Sequence, residues 1–215
     1  GVLAQELAVL RGENVQVTDG GVGFSGSMQT MMLANLHSRI ASRVLWKLAE
    51  KPYRSEDDIY RLARDLDWQD LFSVDNTIKV SVTAVKSPLR SPEFVGLKVK
   101  DGICDRFRLK TGERPSVDTR EPDMRINLFL TERMATIYLD TSGEPLFKRG
   151  YRQDAGDAPL RENLAAGILA LTGWQPSQAL YDPMCGSGTF LIEAALKARN
   201  IAPGMRRSFA FQQFR

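Results

Sequence analysis

The first quarter of the chain mixes helix-like and strand-like spacing of its apolar positions. Residues 1–11 place leucines on one face and predict a helix, and alternating apolar residues then predict two strands around the turn signal Asp19-Gly20-Gly21. A second helix with a serine cap is expected over 27–38, and a third strand over 43–48. This order lacks only a leading strand to form a ferredoxin-like unit over 1–52, so a few more residues are expected before the first one.

Residues 53–140 contain the most regular pattern. A helix capped by Ser55 is expected first, a cluster of large side chains follows it, and strict alternation then predicts a strand over 77–85. Ser91 and Pro92 begin a long helix with a basic exposed face. Its apolar positions recur at four-residue spacing and are Val95, Val99, Ile103 and Phe107. Two further alternating strands, joined by a tight turn, complete the segment.

The last third begins with turn-forming residues, 141–158, which predict a linker. A helix is expected to open at Pro159 and to end near Gly173. Its apolar stripe consists of Leu160, Leu164, Ile168 and Leu171. A short apolar run at 179–181 predicts a strand, a glycine-rich turn follows it, and a helical pattern then runs from 189 to 199.

Composition narrows the class of protein. The 215 residues are 43% hydrophobic, and no apolar run approaches the ~20 residues of a membrane span, so no membrane association is expected. Cys104 and Cys185 cannot form a disulfide framework, and no signal peptide precedes them, so a reducing cytoplasm is the expected location. With His37 as the one histidine, no metal-ligand cluster of the usual spacing occurs and no metal is predicted.

The distribution of charge along the chain is more informative about possible partners than the net charge of +3. Residues 86–125 carry 10 basic and 7 acidic side chains, whereas residues 1–85 carry 9 basic and 11 acidic ones. A basic middle is compatible with contacts to nucleic-acid phosphates. An ordinary solvated surface explains the same excess, and charge alone favours that simpler interpretation.

The candidate chemistry is concentrated between residues 182 and 189. A strand that turns through glycines into a helix binds phosphates or nucleotides in α/β folds. Gly186 and Gly188 carry no side chain, so the backbone can approach a ligand closely there. The spacing is not that of a P-loop, because no Gly-Lys-Ser/Thr follows, and Leu191 stands where the dinucleotide fingerprint has its third glycine.

A resemblance to a known family lies in Asp182-Pro183-Met184-Cys185-Gly186-Ser187-Gly188-Thr189. This stretch is similar to the S-adenosylmethionine motif of class I methyltransferases that modify exocyclic amines of nucleobases. The resemblance implies that these eight residues bind the cofactor, with Asp182 near its ammonium and the helix that begins at Thr189 favouring its carboxylate. Cys185 is interpreted as a small packing residue rather than a nucleophile, because no histidine base lies nearby in sequence.

The residues before this motif extend the resemblance. Arg-Gly-Tyr-Arg at 149–152 and Ala-Pro-Leu-Arg-Glu-Asn-Leu-Ala at 158–165 are similar to the element that precedes the cofactor motif in the same family. The similarity implies that Pro159, Leu160 and Asn163 lie near the methionine end of the cofactor.

A second resemblance covers residues 53–140, which look like the THUMP domain of RNA-modifying enzymes. The likeness is clearest in Arg90-Ser91 and Leu97-Lys98-Val99-Lys100-Asp101, and a ferredoxin-like unit is the usual companion of such a domain. RNA contacts are therefore expected at basic residues of the long helix and of the Arg-Gly-Tyr-Arg segment, namely Arg90, Lys98, Lys100, Arg149 and Arg152. The alternatives are a basic helix with a purely structural role and salt bridges within the linker.

Over nearly its whole length, the chain is similar to the bacterial 23S ribosomal RNA guanine-N2 methyltransferase family. The implied fold is an α+β part, with a ferredoxin-like unit and a THUMP domain, followed by the start of an α/β Rossmann-like methyltransferase domain over 159–215. The implied reaction moves a methyl group from S-adenosylmethionine to the exocyclic N2 of guanine in ribosomal RNA. The protein would align donor and acceptor and take the base out of its stack, and no catalytic residue is assigned.

Two features of that family do not occur in the sequence: the acidic residue that holds the cofactor ribose and an Asn-Pro-Pro-Tyr-like segment that grips the target amine. The chain is therefore expected to be an N-terminal fragment that is inactive alone and binds the cofactor weakly or not at all. A DNA adenine-N6 methyltransferase and a non-enzymatic RNA-binding module are the alternatives. The modified nucleotide, a second methyltransferase domain and the oligomeric state do not follow from the sequence.

Overall fold

A computed structural model of the protein describes residues 1–152 and 160–215. The chain divides into two compact units, Gly1–Val44 with Glu144–Phe209, and Leu45–Gly143 with Ala210–Arg215. The first unit therefore combines an N-terminal and a C-terminal segment, whereas the second consists mainly of the middle of the chain.

The elements of the described residues follow the sequence-based order in most places. The helices are α1 (Val2–Val9), α2 (Met28–His37), α3 (Glu56–Arg64), α4 (Pro92–Thr111), α5 (Glu162–Leu171) and α6 (Thr189–Ala198). The strands are β1 (Glu13–Thr18), β2 (Gly21–Ser25), β3 (Leu45–Pro52), β4 (Ile78–Ala84), β5 (Met124–Leu130) and β6 (Met134–Asp140). Among these helices, none combines the length and the hydropathy that a bilayer crossing requires.

The first unit contains a β-hairpin and four of the helices. β1 and β2 pair antiparallel around the glycine turn, with Val17 opposite Val22. Ser27 caps α2, because its side-chain oxygen accepts the backbone N–H of Thr30 at 3.3 Å. Each of the four helices contributes to the buried apolar side chains of this unit, which include Leu7, Met31, Ala34, Ala165, Leu169 and Ala194.

The second unit is built on a four-stranded sheet with the order β3-β6-β5-β4. β4 and β5 are parallel, with α4 as the crossover between them, and the other neighbours are antiparallel. Helices α3 and α4 cover one face of this sheet. Their apolar side chains form one core with those of the strands: Ile59, Leu62, Val95, Val99, Ile103, Phe107, Ile126, Leu128, Ile137 and Leu139.

Short-range sequence signals explain where the helices of the second unit begin and end. Ser55 and Asp58 form a reciprocal capping box at the start of α3. Ser91 caps α4, and Gly112 ends it in the left-handed conformation with φ 80°. The predicted cluster of large side chains is confirmed, since Trp68 is fully buried and donates its indole N–H to the Ala63 carbonyl at 2.6 Å.

The strand expected at 43–48 has a different partner from the one its position suggested. β3 spans Leu45–Pro52 and pairs antiparallel with β6, so it belongs to the sheet of the second unit. The hairpin of β1 and β2 forms a separate two-stranded sheet. Alternation along one segment predicts a strand but contains no information about which strand lies beside it.

The strand expected at 179–181 is wrong for this structure, in which these residues have no strand assignment and Tyr181 is 86% exposed. A strand needs a neighbour for its backbone hydrogen bonds, and the described strands all pair elsewhere.

The apolar stripe expected on α5 does not form the buried face of this helix. Leu164 and Leu171 are exposed, and the buried face of α5 is the opposite one.

The segment expected to be a linker, 141–158, is packed at its start. Thr141 and Ser142 are fully buried, and the Leu146 side chain is also buried. The end of this segment, from residue 153, lies outside the described residues, as does Pro159.

Candidate cofactor and RNA sites

The turn between residues 182 and 188 leads directly into α6. Asp182 accepts the backbone N–H of Met184 on its Oδ1 at 3.1 Å, and the N–H of Gly188 donates to the Cys185 carbonyl at 2.7 Å. Gly188 is the N-cap of α6, and Thr189 is its first residue. Because the first turn of a helix leaves backbone N–H groups without intrahelical acceptors, this end of α6 favours an anionic group.

Both glycines of the turn have a left-handed backbone. Gly186 has φ 51° and Gly188 has φ 72°, a region that L side chains rarely adopt. A Cβ added at either position would meet nothing within 4 Å. The glycines are therefore required by the backbone conformation, and the space beside them is open to a ligand.

A shallow groove of about 510 Å³ lies beside this turn. Its lining is mainly apolar and includes Ile168 of α5, Phe190 of α6, and Trp174 and Leu180 from the connection between them. The Trp174 indole N–H donates to the Gln178 carbonyl at 3.1 Å, which holds the ring in place. Apolar walls with a polar turn at one end suit a ligand that has a flat apolar part and a charged part.

The remaining residues of the turn are mostly exposed. Met184 is 89% exposed, and Cys185 is also exposed, so the interpretation of Cys185 as a packing residue is wrong. A residue at the outer side of an open turn has nothing to pack against. The hydroxyls of Ser187 and Thr189 lie 3.3 Å apart, and Thr189 itself is buried.

Arg152 connects the start of α5 with the start of α6. Its Nε donates to Glu162 at 3.0 Å, and its Nη2 donates to the Leu160 carbonyl at 2.9 Å and to the Thr189 hydroxyl at 3.1 Å. These partners engage Nε and Nη2 of the guanidinium, whereas Nη1 is buried without a hydrogen-bond partner among the described residues, and the side chain is 18% exposed. This placement does not fit the predicted contact of Arg152 with an RNA phosphate. It fits the alternative, a salt bridge within the protein, here with Glu162.

Arg149 is buried more deeply, with 3% of the residue exposed. Its Nε lies 3.6 Å from Glu193 of α6, and its Nη1 donates to the Leu146 carbonyl at 2.6 Å. A second bond from the guanidinium reaches the Arg39 carbonyl. The prediction that Arg149 contacts RNA phosphates is therefore wrong for this structure, because its charge faces a buried carboxylate.

Sequence reasoning missed Glu193. Its carboxylate accepts the Tyr151 hydroxyl at 3.1 Å, and burial raises its pKa above the ordinary value, against the opposing effects of Arg149 and Tyr151. Burial and the nearby Glu193 also raise the pKa of the Tyr151 phenol. The sequence signal for such a site was a single acid within the apolar run of α6. An acid at such a position predicts a partner, since carboxylates are rarely buried without one.

The family-derived residues at the start of α5 have structural partners. Asn163 donates its side-chain N–H to the Ile40 carbonyl at 3.2 Å and to the Ser42 hydroxyl at 3.0 Å. The Leu160 carbonyl accepts from Arg152, as described above. Pro159 lies outside the described residues.

Two of the three basic residues expected to contact RNA in the second unit lie near acids. Lys98 is 3.2 Å from Asp57, and Lys100 is 2.6 Å from Asp101. Arg90 lies on the exposed loop before α4. Because neighbouring carboxylates offset the two lysines, this helical side of the unit offers a weaker field to a phosphate than the count of basic residues suggests.

The described parts of the chain contain no group of three or more His, Cys, Asp or Glu side chains placed to hold a metal ion. His37, the one histidine, is the last residue of α2. Burial raises the pKa of the Cys104 thiol.

Three domain families match the chain in succession. The RlmL ferredoxin-like domain matches residues 1–45, the THUMP domain matches 53–140, and the RMKL-like methyltransferase domain matches 149–215. Together these three matches extend over most of the chain, which is thus similar to THUMP-containing methyltransferases. This confirms the family resemblance and the fold class expected from the sequence.

One relative is a ribosomal RNA large subunit methyltransferase K/L from Psychromonas ingrahamii. It is 47% identical over 215 residues, which are 100% of this chain and 29% of that protein.

Two solved structures are similar in fold. A predicted N6-adenine-specific DNA methylase from Listeria monocytogenes superposes with a TM-score of 0.90 at 34% identity, and SMU.472, a putative methyltransferase complexed with SAH, superposes with a TM-score of 0.87 at 34% identity. Each comparison covers 99% of this chain and 56% of the other chain. The chain thus spans less than two thirds of the relatives that it matches.

Proposed function

We propose that this chain is the RNA-binding and cofactor-turn portion of an S-adenosylmethionine-dependent methyltransferase that modifies the exocyclic N2 of guanine in 23S ribosomal RNA. The observation that carries the proposal is the open left-handed turn at Gly186 and Gly188, directly before the N-terminus of α6. The succession of matched domains and the ribosomal RNA methyltransferase relative support it.

The residues from Asp182 to Thr189 are proposed to hold the cofactor. When bound, S-adenosylmethionine supplies a methyl group that its sulfonium has already activated. The bare backbone at Gly186 and Gly188 allows close approach, and the N–H groups at the start of α6 bind the cofactor carboxylate. Asp182 lies at the edge of the groove and is proposed to pair with the cofactor ammonium.

The domain limits expected from the sequence are retained as part of the proposal. They are 1–52 for the ferredoxin-like unit, 53–140 for the THUMP domain, 141–158 for the linker and 159–215 for the methyltransferase portion. Arg90, Lys98 and Lys100 remain proposed RNA contacts, and the cytoplasm remains the proposed location. The 215-residue chain alone is proposed to be inactive.

The reaction is tested with the full-length gene product that contains this chain. It is incubated with unmodified 23S ribosomal RNA and methyl-labelled S-adenosylmethionine, and the nucleosides are separated by mass spectrometry. Label in N2-methylguanosine is expected, and inosine in place of guanosine should abolish it, since inosine lacks the exocyclic amine. Label in another nucleoside would contradict guanine-N2 specificity, and no label in RNA would contradict the proposed activity.

A DNA adenine-N6 methyltransferase is the second candidate, because the Listeria relative is named as a predicted enzyme of that type. The matched THUMP domain favours RNA over DNA as the substrate. The same assay with double-stranded and single-stranded DNA decides between them, and label in N6-methyladenine would support the second candidate.

A further inference from the structure

The sheet of the second unit has one face that none of this unit's own helices covers. Side chains alternate along a strand, so the residues between the core positions of β5 point away from α3 and α4. Asn127 and Phe129 lie between the buried Ile126, Leu128 and Leu130, and both are partly exposed. β6 continues this outer face with Tyr138, which is also partly exposed.

Strand register aligns these residues in rows across the sheet. One row runs Ser81, Asn127, Tyr138 and Lys47, and the next runs Thr83, Phe129, Thr136 and Glu50, of which Thr136 is buried between its larger neighbours. The two aromatic side chains are diagonal neighbours on adjacent strands, a separation of about 7–8 Å between their Cα positions. The outer face is thus a platform with two rings among hydroxyl, amide and charged groups.

The charge of the platform favours an anionic partner. Its basic side chains are Lys47, Lys79 and Arg125, and its acids are Glu50 and Asp118, which lies near Lys79. The Lys79 ammonium donates to the Thr119 carbonyl at 2.9 Å, and the basic side chains still outnumber the acids. Glu50 accepts the Thr136 hydroxyl at 2.9 Å and lies 3.8 Å from Lys47, so its charge is partly offset. An apolar partner would remove water from the exposed polar and charged groups of both rows, which is costly.

We propose that unpaired RNA nucleotides stack on Phe129 and Tyr138 on this face, with Lys47 and Lys79 beside the backbone phosphates. Aromatic rings exposed on a sheet, flanked by amides and hydroxyls, bind single-stranded bases through stacking and edge contacts. This inference rests on the proposed function for RNA as the partner class. It assigns base stacking to the outer face of the sheet, in addition to the contacts proposed for Lys98 and Lys100 on the helical side.

The test measures binding of a fluorescent single-stranded RNA 12-mer to the 215-residue chain by anisotropy at low salt. Phe129→Leu and Tyr138→Leu keep apolar bulk and strand propensity but remove the ring, and each should weaken binding at least about fivefold. Phe129→Tyr and Tyr138→Phe should retain affinity within about twofold. Phe94→Ala, at an exposed aromatic of α4, is the matched control and should bind like the wild type.

A fold check and a second readout keep the outcome clear. Thermal melting should show that the leucine variants remain folded, and photo-crosslinking of thiouridine RNA to the wild-type chain should map to residues 125–138. Unchanged affinity of both leucine variants, or crosslinks confined to α4, would overturn the platform but leave RNA as a partner. A wild-type chain that binds no RNA would remove the platform and RNA binding by this chain together, while the methylation assay would still test the activity.

Discussion

At the scale of single residues, Glu193 links α6 to the segment before α5. Its carboxylate is buried beside Arg149 and Tyr151, and burial raises its pKa in the folded protein. A folded-state pKa above the unfolded one means that the contribution of this group to stability is complete below the ordinary value of 4.5. That contribution is lost as the pH rises through the folded-state pKa.

Replacing Arg149 with methionine should therefore destabilise the protein in a pH-dependent manner. The Glu193 carboxylate would remain buried without its guanidinium, at a cost of about 3 kcal/mol near neutral pH. The cost should shrink as the pH falls, because burial favours the protonated carboxyl of Glu193. Urea unfolding of Arg149→Met at several pH values measures this.

The matched control adds Glu193→Gln to the same variant, which should recover part of the loss. A cost for Arg149→Met that does not change with pH, and is not reduced by the second substitution, would contradict the role given to this pair.

Alanine should change the stability in opposite directions at two glycines of the first unit, one in the turn and one within α5. Gly188→Ala forces a side chain into φ 72° and should cost about 1–2 kcal/mol of stability. Gly167→Ala, within α5, meets only Ile40 at 3.8 Å and should stabilise by about 0.5–1 kcal/mol. Unfolding free energies of the two variants check the argument, which fails if both change in the same direction.

At the scale of elements, helix ends were predictable and strand partners were not. Ser27, Ser55 and Ser91 each cap the helix that the sequence placed after them, because a cap involves only the next few residues. β3 was expected beside the hairpin but pairs with β6, some ninety residues later in the chain. Pairing across that distance depends on packing that local alternation does not encode.

The capping box of α3 gives a prediction at this scale. Ser55→Ala should cost about 1 kcal/mol, since it leaves the backbone N–H of Asp58 without its acceptor. Backbone hydrogen bonds from Arg54 and Ser55 lower the pKa of Asp58, so its contribution to stability is present above 3.8 and lost as the pH falls through the folded-state pKa.

The unfolding free energy of Asp58→Asn should accordingly be closer to that of the wild type at acidic pH than at neutral pH. Glu56→Gln, on the same first turn but outside the capping box, is the control and should show a smaller effect. Equal losses for the two amide variants would contradict the capping role.

At the scale of the whole molecule, the sequence motifs predicted the resemblance to known domains, whereas the contacts around the site required the structure. The turn from Asp182 to Thr189 was predictable because glycine placement is local. The partners of Arg149 and Arg152 were not, since Glu193 and Thr189 approach them only in the folded unit. The aromatic pair on the outer face of the sheet was also not predictable from the sequence, because the two rings lie on different strands.

The central claim is that the glycine turn binds S-adenosylmethionine, and a nuclear magnetic resonance titration of the isotope-labelled chain tests it most directly. The groove is shallow and Met184 is exposed, so we expect weak binding in this chain. Saturable shifts of the Gly186 and Gly188 amides are predicted, and they should diminish in Gly188→Ala. Saturable shifts elsewhere with none at these amides, or no shifts at millimolar cofactor, would contradict the claim.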